Sequence, residues 1–154
     1  MLINDNEQYS AIWNRVYTEL GFDPSCDYRG HSLRVPLPFK LEESYAIYGC
    51  DDMTDDQIDL VPEIMKKIFV ETTNEGQRMY ALDWHHEAYL YDPRHPEEPK
   101  IGFIPDGDYY FFIEENFAFG YLGHPWREEV WVFGARLIEK LEEVYEQFGW
   151  TKVK

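Results

Sequence analysis

Asp108-Tyr109-Tyr110-Phe111-Phe112-Ile113-Glu114-Glu115-Asn116-Phe117-Ala118-Phe119-Gly120-Tyr121-Leu122 decides the fold. Apolar residues run with a period of two on both sides of Glu114-Glu115-Asn116, a short link suited to a hairpin. In the first arm Tyr109, Phe111 and Ile113 share one face, and Tyr110 and Phe112 share the other. In the second arm Phe117, Phe119 and Tyr121 lie opposite Ala118, Gly120 and Leu122. Working outward, residues 130–133 set Val130 and Val132 against Trp131 and Phe133. Residues 79–84 and 87–91 supply two earlier strands, and residues 45–48 a further short one closed by Gly49. Pro93, Pro96 and Pro99 mark one connection, and Asp106-Gly107 is a turn signal. A sheet with one wet face alternates apolar with polar residues. Both faces here are apolar or aromatic, so each needs a cover. Either the helices and the irregular segment 22–42 supply it, or part of the aromatic surface stays open for a partner.

Three regions read as helical. Tyr9, Ile12, Trp13, Val16, Tyr17 and Leu20 recur at spacings of three and four, with Asn4 and Glu7 as the N-cap pair and Gly21 as the stop. Thr54 and Gln57 form a capping-box pattern ahead of the stripe Ile58, Val61, Met65, Ile68 and Phe69. Pro62 lies inside that stripe and predicts a kink or two short helices. Leu137, Ile138, Leu141, Val144, Tyr145 and Phe148 form the last stripe, ended by Gly149. Between the first two regions, Pro24, Pro36 and Pro38 exclude a helix, while Leu33, Val35, Leu37 and Phe39 alternate as in an edge strand. The order predicts an α+β fold: an antiparallel sheet of about five to six strands with three helical regions packed on it.

Composition narrows the function classes. The chain has 154 residues, 44% hydrophobic and 18% aromatic, which suits a single domain over residues 1–154 and excludes disorder. Acids number 30 against 14 bases, a formal net charge of -16. Such a charge opposes direct contact with nucleic acid or anionic lipid. No apolar run is long enough for a membrane helix, and the N-terminus carries no signal-peptide pattern. Cys26 and Cys50 are too few for a disulfide framework or thiolate cage, so a cytoplasmic location is expected.

Three short stretches concentrate chemistry-bearing residues: 80–89, 105–112 and 120–134. Leu82, Asp83, Trp84, His86 and Pro93 form the first pattern. Pro105, Gly107, Asp108, Tyr109 and Tyr110 form the second. Gly123, His124, Pro125 and Trp126 form the third, followed by Phe133 and Gly134. Together they resemble an uncharacterised family of small bacterial proteins, a domain of unknown function, over roughly residues 78–138. His85 and Ala88 depart from the family pattern, which has Gln and Cys there. A family role for that Cys would be lost here at Ala88. The resemblance implies a domain and no activity.

Asp83, His85, His86, Glu87, Asp108 and His124 are metal-type donors. In an extended chain, however, Asp83 and His85 point one way and His86 the other. There is no His-Glu-x-x-His helix, and the deaminase Pro-Cys-x-x-Cys is missing, so neither metal nor cofactor is expected. Nucleophile-elbow, Gly-x-Gly-x-x-Gly and Walker patterns are also missing, and neither cysteine has a catalytic signature. Asp83, His86, Asp108 and His124 would serve acid–base or ligand chemistry if the sheet gathered their turns. The competing reading makes them turn residues whose side chains cap neighbouring amides.

Asp51, Asp52, Asp55, Asp56, Asp59 and Glu63 form an acidic run without a base, either a solvated helix start or a docking surface for a basic partner. The expected function is therefore a non-enzymatic, acidic protein-binding module, of the kind an immunity-type inhibitor of a basic toxin would be. Asp51, Asp52, Asp55, Asp56, Trp84, Tyr110, Trp126 and Trp131 are its expected contact residues, since charge speeds association and aromatic anchors slow dissociation. A small enzyme or ligand-binding domain built on Asp83, His86, Asp108 and His124 is the alternative. A homodimer that pairs its aromatic face is the third.

Overall fold

The structure, a computed structural model, describes residues 1–22, 45–95 and 100–154. The alternation at Leu33, Val35, Leu37 and Phe39 and the loop Cys26 lie outside the described residues. Two compact units are present, Ile3–Glu43 in one and Met1–Leu2 with Ser44–Lys154 in the other.

The first unit carries helix α1 (Asn6–Glu19). Its cap is Asp5, one residue after the expected Asn4. The Asp5 carboxylate accepts from the amides of Glu7 (2.8 Å) and Gln8 (3.3 Å). Ile12, Trp13 and Val16 of the predicted stripe are buried.

The second unit is α+β. In chain order it comprises β1 (Tyr45–Gly49), α2 (Asp55–Thr72), β2 (Met79–Asp83), β3 (Ala88–Tyr91), β4 (Tyr110–Glu114), β5 (Gly120–His124), β6 (Glu129–Phe133), α3 (Ala135–Glu142) and β7 (Thr151–Lys152). The seven strands form one antiparallel sheet in the order β3-β2-β4-β5-β6-β1-β7. The strand beyond the expected number is β7, two residues long and too short to show a period.

Register turns the period of two into rows. Ala81, Phe112, Tyr121, Val132 and Ala46 are successive partners across five strands. This row joins Val61, Met65, Ile68 and Phe69 of α2 and Leu137 and Leu141 of α3 in the core. Phe103 stacks on Phe112 with centroids 4.5 Å apart, and Phe69 meets Phe112 at 5.3 Å. Each such pair contributes about 0.5–1.5 kcal/mol beyond its buried area. One residue along, Leu82, Phe111, Leu122, Trp131 and Ile47 form the opposite row. Those five are also buried, at 0–6% exposure. Of the two alternatives, covered or partly open, these two rows are covered. Trp131, proposed from sequence as a partner contact, is 2% exposed and belongs to the interior.

Gly120 is required by the second row. It pairs with Phe133, and a Cβ on it would lie 2.4 Å from the Phe133 ring. The β4–β5 link is also longer than Glu114-Glu115-Asn116. Glu114 ends β4, is fully buried, and accepts from the amides of Asn116 (3.0 Å) and Ala118 (3.2 Å). Phe117 takes a left-handed φ of 62° in the resulting turn.

The capping box at Thr54 and Gln57 is present. Asp55 and Asp56 lie in the first turn of α2, where the helix dipole favours negative charge. α2 runs as a single helix through Pro62, where two short helices were one of the expectations. Proline offers no N–H to the Ile58 carbonyl. Val61, Met65, Ile68 and Phe69 bury the helix on both sides of that lost bond, and burial of this size outweighs it.

Candidate functional site

The three motif segments meet at one end of the sheet, because Asp83 of β2, Tyr110 of β4 and Gly123 of β5 are register partners. Alternation then divides the motif residues between the two faces. Asp83 and Tyr110 lie on the helix-bearing face, two residues from Ala81 and Phe112. His124 follows Gly123 and lies on the other.

On the first face, the chain does not stay extended after Asp83. The His86 amide donates to the Asp83 carbonyl (2.9 Å) and His85 adopts a φ of 67°, so residues 83–86 form a tight turn. The turn carries His86 back over Asp83, which the extended reading missed. Asp108 reaches the same point from the segment before β4. His86 Nδ1 lies 2.9 Å from Asp108 Oδ2 and 3.2 Å from Asp83 Oδ1. The second oxygen of Asp108 accepts from the Tyr109 amide (2.8 Å), which fixes the carboxylate's orientation. The imidazole side chain is 64% exposed, while the carboxylates are 24% and 21% exposed. Their three donor atoms lie within 4.8 Å of one another.

The charges are interdependent. Burial, reinforced by a hydrogen bond to Asp108, pushes the Asp83 carboxyl up to about 6, against the opposing pull of His86. The His86 imidazole is raised above its ordinary value, first by its hydrogen bond to Asp83. A carboxyl raised toward neutrality beside an imidazole is a pair able to exchange a proton with a bound molecule. Glu87, a candidate from sequence, is engaged instead by the Tyr89 hydroxyl, and His85 lies against the Trp84 ring at 4.0 Å.

His124 does not join this cluster. It is 7% exposed and boxed by Tyr109 (5.0 Å between centroids), Trp126 (4.5 Å) and Trp131 (5.5 Å). Trp126 Nε1 donates to the Tyr109 hydroxyl at 2.7 Å. The Arg127 guanidinium sits over the rings of Trp126 (5.1 Å) and Trp131 (5.7 Å). Burial, aided by this cation, lowers the His124 imidazole to about 3. Among the described residues its Nδ1 has no hydrogen-bond partner. Enclosed by rings on the opposite face of the sheet, His124 is kept apart from Asp83, His86 and Asp108, with which the sequence reading groups it.

Of the expected partner contacts, Asp51, Asp52, Asp55 and Asp56 are exposed, and Trp84, Tyr110 and Trp126 are half-buried. Tyr110 also edges a groove of about 550 Å3 between α2 and residues 101–106. Ile58, Pro62, Ile104 and Pro105 supply apolar walls, and Asp59, Asp106 and Lys66 supply charges. Sequence reading missed this groove. Its visible signals were Pro62 and Pro105, two rigid residues in otherwise unrelated segments. Asp83, Asp108 and Asp106 all help to hold the Tyr110 hydroxyl above its ordinary pKa, after burial, so groove and cluster share one acidic field.

Comparison with known proteins gives a family. No solved structure matches the chain. The chain is 33% identical over 142 residues to a protein of Bacillus subtilis (strain 168) called "Uncharacterized protein YxiI", with 85% of each chain covered. The model of the family described as "Protein of unknown function (DUF2716)" matches residues 3–138, a span that includes all three motif segments. The chain therefore belongs to that bacterial family of unknown function.

Proposed function

We propose that the protein is a non-enzymatic binding module that receives a basic protein partner on its acidic face, as an immunity-type inhibitor of a basic toxin would. The groove beside α2 carries this reading. It combines apolar walls with Asp59, Asp106 and Lys66, beside the helix whose first turn carries the exposed Asp55 and Asp56 and which Asp51 and Asp52 precede in the chain. A lysine- or arginine-bearing segment would lay its aliphatic stem on the apolar walls and its charge among the acids. Long-range attraction from the -16 charge would speed encounter. We infer a cytoplasmic site of action from the two-cysteine composition; no helix among the described residues is long and apolar enough to cross a membrane.

Affinity purification from the native host, with mass spectrometry of co-eluting proteins, tests the reading. A basic partner is expected, released as salt rises. Exchange of Asp52, Asp55 and Asp56 for Asn is expected to slow association about tenfold or more. Recovery of no partner, or of one whose association ignores both salt and these substitutions, contradicts it.

A second reading, a small-ligand or acid–base site, is favoured by the meeting of Asp83, His86 and Asp108 from two separate chain segments. It is the alternative expected from sequence without His124. The raised imidazole pKa of His86 is its signature in the unliganded protein.

A further inference from the structure

We infer that Asp83, His86 and Asp108 form a binding site for one first-row divalent transition ion, of the zinc or manganese class. The inference deepens the second reading above and rests on it.

Geometry is the first argument. A small divalent ion holds oxygen and nitrogen donors at about 2.0–2.2 Å, which sets neighbouring donors about 2.8–3.1 Å apart in an octahedral arrangement and about 3.3–3.6 Å apart in a tetrahedral one. His86 Nδ1 stands 2.9 Å from Asp108 Oδ2 and 3.2 Å from Asp83 Oδ1. Those separations lie close to two edges of an octahedral shell, so an ion displacing the proton between these atoms requires little movement.

Charge and donor type agree. Two carboxylates and a neutral imidazole carry a charge of minus two, which a dication neutralises. Imidazole among carboxylates suits zinc, manganese or iron, whereas calcium and magnesium take oxygen donors. The donors are also held from behind. Asp108 keeps its second oxygen on the Tyr109 amide, and the Asp83 carbonyl accepts from the His86 amide within the turn. Because His86 is largely exposed, the remaining coordination positions open to water. Ala88 and His124 are no part of the set. His124 is on the opposite face of the sheet, so the site rests on three protein donors.

Calorimetric titration of the full chain with zinc chloride, and manganese EPR as the second probe, test this. Saturable binding of one ion is expected. Asp108→Asn and His86→Gln are each expected to weaken it about tenfold or more, while His85→Gln and His95→Gln leave it unchanged. Circular dichroism of each variant confirms folding. Failure to bind either ion, or binding that survives Asp108→Asn and His86→Gln, overturns the inference. NMR titration of His86 in metal-free protein separates the two failures. A raised His86 pKa without metal binding overturns the ion alone, whereas an ordinary pKa overturns the cluster and the second reading with it.

Discussion

His86 and His124 lie at the same end of the same sheet, yet they have opposite environments. His86 is exposed between two carboxylates that favour its charged form. His124 is enclosed by three aromatic rings and the Arg127 cation, which favour its neutral form. One-residue alternation along the strands produces this division: Asp83 and Tyr110 take one face and His124 the other. An imidazole in a sequence motif is therefore not a functional assignment. What it faces decides whether it is available to a ligand.

The largest effect is expected on the aromatic side. Trp131→Ala removes a wall of the His124 box and a member of the buried row, and should cost about 3–5 kcal/mol in urea unfolding. His86→Ala, on the exposed side, should leave the urea midpoint nearly unchanged. Comparable losses would erase the contrast between the two faces.

Acid titration gives the next largest difference. His124 has a depressed folded-state pKa, so its neutral form contributes stability that is present above pH 6.5 and is lost as pH falls toward about 3. His124→Phe should therefore move acid unfolding to lower pH, as followed by circular dichroism. Asp83 has the opposite sign. Its raised carboxyl contributes stability that is complete below its ordinary value of 3.8 and is lost as pH rises through about 6. Asp83→Asn should flatten that decline. An unchanged acid midpoint in His124→Phe would mean that the imidazole is hydrated.

A smaller effect isolates the cluster. Asp108→Asn removes one carboxylate from His86 and should bring the imidazole pKa down, read from its ring proton shifts. A pKa that stays put would show that Asp108 does not act on it.

The sheet was legible because side-chain period is a local property. Phe111 against Phe112 and Trp131 against Val132 assign faces whatever lies above them. The cover was not legible: periodicity marks Trp131 as facing one side, and only tertiary packing reports that this side is closed. Three further features escaped for the same reason. The fold-back of His86 depends on the left-handed backbone at His85, which has no glycine to announce it. The separation of His124 from Asp83 depends on register, and the β4–β5 link that sets register is longer than its polar residues suggest. The groove needed α2 and residues 101–106 to meet across a gap in the sequence.

One measurement bears most directly on the division of this sheet end into an accessible charged site and a sealed neutral one. In an NMR pH titration of the unmodified chain, with ring signals assigned through His86→Gln and His124→Phe, His86 should titrate above 6.5 and His124 should stay neutral until the fold is lost. Titration of both rings together near 6.5 would contradict the account.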